Sequence, residues 1–196
     1  YLGEKLKNEN IWLTGIDLFH PRNKYYNDFF CENIEQFNWD KIGGESFDLV
    51  CLMDILEHLK EPERLLLSLR SHPNLENALF VISVPNVAFF TIRIGLLFGW
   101  FNYSDRGILD IGHKRLFTYR SFHAMLKECG FKVNKTIPVP PAFKLLSKSF
   151  IANFLTAIFS LLNKPFPSLF AFQIVKIALP MPVSTQVIYK FLPKDK

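Results

Sequence analysis

FDLVCLMDILEHLKEPERLL, residues 47–66, is the stretch that decides the fold. Its first seven residues are apolar except for Asp48, too few for an ordinary helix, and they read as a buried strand. An acid, Asp54, follows at once. Pro62 then opens a helix over residues 62–71, because the first helical turn does not need its missing N–H. Leu65, Leu66 and Leu69 fall on one face of that helix and mark its inner side. A buried strand, an acidic turn and an amphipathic helix make half of a βαβ unit.

The same alternation runs outward in both directions. Residues 4–10 read as the end of a helix, and residues 11–16 as a short buried strand that ends in Asp17. A second short strand falls within 25–34, and Gly43-Gly44 signals a turn. Residues 78–84 form a third buried run, closed by Pro85-Asn86. Thr118 is placed to cap a helix that ends at Cys129-Gly130, with the glycine where a left-handed residue is wanted. Residues 131–139 read as a strand, 142–162 as a helix broken by 164–167, and 170–179 as a last strong strand. A further short strand over 186–192 precedes a charged end.

Apolar strands alternating with helices indicate an α/β fold with a mostly parallel sheet covered by helices on both faces. The chain has 196 residues, enough for one sizeable core. Its organisation is expected to be one domain over 1–180, with a helical insertion at 87–112 and a tail from 181.

With 49% hydrophobic and 21% charged residues, the chain is not disordered. The net charge of +5 comes from scattered Lys and Arg rather than one basic stripe, so no nucleic-acid partner is expected. Cys31, Cys51 and Cys129 form no C-x-x-C pair and are expected to be buried free thiols in a reducing cytosol. No metal-ligand set is visible at the usual spacings. Phe is abundant, with 21 residues, and the greasy segments are residues 87–101 and 151–162. Both are short for a membrane span, and the reading is a core or interfacial role. Trp12, Trp39 and Trp100 are expected in the core or at its rim, and His20, His72 and His123 at the surface.

Ligands of such sheets bind at the carboxyl ends of the strands. Asp17 has that placement, and its carboxylate suits the two hydroxyls of a ribose. Position alone equally allows a loop acid or a helix cap. Asp54, Glu57 and His58 put three ionisable groups into five residues just past a buried strand. They line the mouth of the sheet or, in the plainer alternative, begin a solvated helix.

At this point the residues resemble a family. Residues 47–66 look like the segment after the second motif of class I S-adenosylmethionine (SAM)-dependent methyltransferases, of the type 11/12/23 and ubiquinone-methyltransferase-like kind. Residues 81–133, with SVPN, GILD, HKRLFT and a helix ending in GF, look like a subgroup often tied to cell-surface polysaccharide synthesis. The resemblance spans about residues 1–180. It implies a Rossmann-like sheet whose last strand is antiparallel, and SAM as cofactor.

It further implies that Asp17 holds the cofactor's ribose, and that Asn33, or Glu32 in a register shifted by one, with Ile34, meets the adenine. Asp54 and Glu57 complete the cofactor set. His58 and His113 are the candidate bases for a hydroxyl acceptor, and Arg115 a candidate for an anionic group on it. For His113 and Arg115 the alternative is a loop-anchoring network, and for His58 a helix-start residue packed near the site without proton work. The family's glycine-rich first motif does not occur, and Tyr1–Leu6 resembles the helix that follows it, so the chain is expected to start downstream of the family's first strand.

The acceptor is expected to be a small molecule, a glycan or a lipid-linked glycan, in the cytoplasm with possible peripheral membrane contact. The alternative from another class is a non-catalytic scaffold with this fold. A nucleotide-sugar oxidoreductase would need G-x-G-x-x-G and Y-x-x-x-K, and neither occurs.

Overall fold

A computed structural model describes residues 11–21, 25–44, 46–141 and 150–182. The chain separates into two units at the Gly43-Gly44 turn. In the first, β1 (Thr14–Asp17) pairs in parallel with β2 (Asp28–Cys31), Asp17 opposite Cys31. Gly15 is needed there, because a Cβ would stand 2.7 Å from the Tyr26 ring and 2.8 Å from that of Phe29. Two single helical turns follow, Ile34–Gln36 and Trp39–Lys41, each capped by an asparagine, Asn33 and Asn38.

The second unit carries a four-stranded sheet. Its strands are β3 (Leu49–Met53), β4 (Leu79–Pro85), β5 (Phe131–Val139) and β6 (Gln173–Pro180), in the order β3-β4-β6-β5. β3 and β4 are parallel, whereas β6 runs antiparallel to both of its neighbours, β4 and β5. The last strand is therefore the reversed one, as the sequence implied. β4 lies inside the sheet, and its run LFVISVP buries Phe80, Ile82, Ser83 and Val84. Phe80 meets Phe131 of β5 edge to face at 5.0 Å.

The helices follow their sequence signals. α1 (Pro62–Ser71) starts at its proline and buries Leu65, Leu66 and Leu69. α2 (Phe90–Leu97) lies in the expected insertion. α3 (Tyr119–Glu128) begins with a reciprocal capping box between Thr118 and Ser121. It ends before Gly130, whose φ of +81° places it in the left-handed region. α4 (Phe150–Asn163) and a single turn, Pro167–Phe170, lead into β6.

Several expectations change. The first two strands are shorter than read: β1 begins at Thr14 rather than at residue 11, and the turn capped by Asn33 closes β2 after Cys31. Cys31 is exposed rather than buried. Trp12 and Trp100 are each 67% exposed and so are not core residues, and the Trp12 indole N–H donates to Asp28 at 3.0 Å. The helix read over 142–162 is described from Phe150 onward. The readings at 4–10, 142–149 and 186–192 lie outside the described residues.

Candidate active site

The parallel register sets Met53 beside Ser83, so β3 and β4 end together. Reversed β6 brings its first residue, Gln173, to the same edge, opposite Pro85. Three strands thus deliver Asp54, Ser83 and Gln173 to one place. Asp54 has φ +55°, a conformation that costs a non-glycine residue about 1 kcal/mol and that Asp tolerates better than most. Its surroundings hold it there. The Asp54 N–H donates to the Ser83 hydroxyl at 3.0 Å, and that hydroxyl donates to Asp54 Oδ1 at 2.9 Å. Gln173 Nε2 donates to the same carboxylate oxygen. Among the described residues, both side-chain bonds fall on one oxygen of Asp54.

The chain then turns once through Leu56–His58. The Glu57 carbonyl accepts the backbone N–H groups of Lys114 at 2.8 Å and Arg115 at 3.0 Å, which ties the 104–117 loop to this turn. Glu57 is 1% exposed, and among the described residues its Oε2 has no hydrogen-bond partner. Burial, with a smaller contribution from the charge of Asp54, pushes the Glu57 carboxyl up to about 8.

The two histidines face one another, ring centres 4.8 Å apart. His58 Nδ1 lies 3.2 Å from the Gly112 carbonyl, and His113 Nδ1 lies 3.0 Å from the Ile108 carbonyl. A carbonyl oxygen only accepts, so each Nδ1 carries the hydrogen and, in the neutral ring, each Nε2 keeps its lone pair. Asp54, Glu57, His58, Asp110, His113 and Gln173 contribute to the lining of a cleft of about 340 Å³.

The sequence-predicted residues divide as follows. Asp54, Glu57, His58 and His113 come together in this cleft. Arg115 does not line it and instead pairs with Glu63 of α1, the anchoring alternative. In the first unit, Asp17 sits at the carboxyl end of β1 and accepts the Phe19 N–H at 3.0 Å. Asn33 spends its side-chain oxygen on the Glu35 N–H, Ile34 opens that turn, and Glu32 pairs with Lys41.

Sequence reading missed Ser83, Asp110 and Gln173. Ser83 and Asp110 stand inside the recognised SVPN and GILD motifs. Gln173 carried a signal only in being a polar residue at the start of an apolar strand. Asn86 of SVPN is structural: its Nδ2 donates to the Ala171 and Ser168 carbonyls at 2.7 and 3.2 Å.

An α/β sheet with one reversed last strand, and a polar cleft where its parallel strands end, place a ligand site where open α/β sheets carry theirs. Residues 4–136 match the methyltransferase domain family. Among solved structures, a SAM-dependent methyltransferase from Archaeoglobus fulgidus superposes with a TM-score of 0.55 at 19% identity, covering 89% of this chain and 79% of that one. A Pyrococcus horikoshii protein gives 0.53 at 11% identity, with coverages of 92% and 78%. A methyltransferase-fold protein from Listeria monocytogenes, described as SAM-dependent, gives 0.50 at 12% identity, with coverages of 87% and 80%. No curated protein matches by sequence. The chain belongs to the methyltransferase domain family. It is a class I SAM-dependent methyltransferase, and SAM is its cofactor.

Proposed function

We propose that the cleft at Asp54, Glu57, His58 and His113 receives a hydroxyl-bearing acceptor carried on a lipid or another apolar group. The single observation behind the apolar carrier is α4. Phe150, Phe154 and Leu161 fall within about 40° of one another around a 3.6-residue helix, and they are 83%, 57% and 69% exposed. Phe159 is on the opposite side, packed against the rings of Phe89, Phe90 and Phe170 at 5.4–6.2 Å. Ala152 and Asn163 share that inner face and are buried. The helix is thus apolar on both sides, and among the described residues the outer stripe stays exposed. Among the described residues no helix is long and apolar enough to cross a membrane, so the stripe suits contact at an interface.

Bound SAM supplies a methyl group activated by its sulfonium. In the first unit Asp17, at the carboxyl end of β1, is the ribose-binding acid in this reading; in the second unit Asp54 and Glu57 border the acceptor cleft. Such positioning contributes up to about 7–11 kcal/mol in favourable systems. As the oxygen–carbon bond forms, the carbon–sulfur bond breaks and its electron pair stays on sulfur. The hydroxyl proton has to leave, and with the imidazoles free the Nε2 lone pair of His58 or His113 takes it. A role in cell-surface polysaccharide synthesis follows from the SVPN–GILD resemblance and a lipid-linked glycan acceptor.

The test is transfer of radiolabelled methyl from SAM to a membrane lipid fraction and, separately, to water-soluble glycosides. Label in organic-extractable, alkali-stable product supports the reading; label only in the soluble glycosides overturns the apolar carrier.

A further inference from the structure

The cleft holds a set of groups that the sequence did not reveal as a set. Glu57, His58 and His113 each offer one ligating atom, and these atoms lie within 4.8 Å of one another. Ligands about 2.1 Å from a common ion stand about 3–4 Å apart, so small side-chain rotations close the set around one cation.

Two further observations point the same way. The first is the orphaned Glu57 Oε2, buried with no donor to satisfy it, in a residue 1% exposed. A buried carboxylate oxygen left without a donor is costly, and a cation beside it removes that cost. The second is the pair of carbonyl contacts. Both imidazoles use Nδ1 on a backbone carbonyl, of Gly112 and of Ile108. Metal-bound histidines are commonly oriented by such a bond on the nitrogen that does not ligate. Asp54 and Asp110 line the same cleft and add negative charge around it. Arg115 of the same loop is turned onto Glu63 and does not line the cleft.

We propose that Glu57, His58 and His113 bind a divalent first-row transition cation whose open coordination positions take the acceptor's hydroxyl oxygen. Two imidazoles and one carboxylate favour such an ion over Mg²⁺ or Ca²⁺, which prefer all-oxygen sites. Three protein ligands leave positions open, the arrangement of a catalytic rather than a structural site. This role rests on the reading of the cleft as the acceptor site. The histidines then act on the oxygen through the ion. The cation-bound hydroxyl gives its proton to water, and its oxygen bonds to the methyl carbon as the carbon–sulfur bond breaks with both electrons left on sulfur.

The experiment uses the untagged protein, stripped with chelator and titrated with Mn²⁺ under electron paramagnetic resonance, then with Zn²⁺ and Mg²⁺ as competitors. One Mn²⁺ per chain is expected, displaced by Zn²⁺ at far lower concentration than by Mg²⁺. Glu57→Gln and His113→Gln, chosen as near-isosteric, are each expected to weaken Mn²⁺ at least tenfold while their melting curves in chelator match the parent's. No stoichiometric binding, or binding that both substitutions leave unchanged, overturns the site.

SAM binding is measured separately in chelator by calorimetry. Protein that binds SAM but no cation loses this inference alone. Protein that binds the cation but not SAM keeps the metal site and loses the methyl-transfer role.

Discussion

Asp54 shows how much one residue carries. Its place after a buried strand was legible from residues 47–54, because an acid that ends an apolar run sits at a sheet mouth. Its left-handed backbone was not legible, since φ depends on Ser83 and Gln173, 29 and 119 residues away in sequence. Asp54→Gly is expected to lose the carboxylate bonds but recover the backbone strain, whereas Asp54→Ala loses the bonds and keeps the strain. Ala should therefore be the less stable of the two by about 1 kcal/mol in urea unfolding; equal stabilities would contradict the assignment.

Lys176 is the residue that sequence reading passed over. Alternation in β6 puts it on the buried face with Ile174 and Ala178, but a lysine inside an apolar strand is ordinarily turned outward. It is 0% exposed, its ammonium 3.1 Å from the Thr136 hydroxyl, 3.5 Å from His123 Nδ1 and over the Tyr119 and Phe122 rings. Burial pushes it down to about 8, so between that pH and about 10.5 the unfolded chain binds a proton that the folded chain has released. Stability from this group is lowest below pH 8 and rises as pH climbs through that window. Cys129 acts in the opposite sense, because burial pushes its thiol up to about 12 and stability from it falls above its ordinary value of 9. Lys176→Met should therefore gain about 1 kcal/mol or more at pH 7, and the gain should shrink towards pH 10. A gain that is constant with pH would exclude this account.

At the scale of elements, the local signals were the readable ones. Pro62, Thr118 and Gly130 each bound a helix where the sequence placed it, because each acts through its own backbone or the next turn. Thr118→Ala removes one half of the capping box and should cost about 1 kcal/mol. Gly130→Ala should cost more, about 2 kcal/mol, since a Cβ would lie 2.4 Å from Arg70 Cζ at a φ of +81°. Arg70 is itself held by the Met181 and Pro182 carbonyls at 2.9 and 2.7 Å and has little room to move. The reverse order of costs in thermal melts would contradict this packing.

The outer stripe of α4 was visible only as excess Phe; which side it faced had to come from the structure. Phe150→Ser with Phe154→Ser should leave melting nearly unchanged but abolish flotation with anionic liposomes. A parent protein that never floats would remove the interfacial role.

For the whole molecule, the strand alternation indicated an α/β sheet and the family resemblance a reversed last strand, and the long-range pairings bear this out. What sequence could not supply was convergence. Glu57 and His58 come from one turn and His113 from a loop more than fifty residues on, joined through the Glu57 carbonyl. Spacing alone gave no ligand set, because the loop that closes it is fixed by backbone hydrogen bonds rather than by motif. The separation of the chain at Gly43-Gly44 was likewise legible only as a turn.

The central claim, a SAM-dependent methyltransferase, is tested most directly by calorimetric titration of the full-length protein with SAM, alongside Asp17→Ala. The account predicts one SAM bound per chain and affinity weakened at least tenfold by the substitution. No heat and no SAM-induced rise in melting temperature for the parent protein would contradict it.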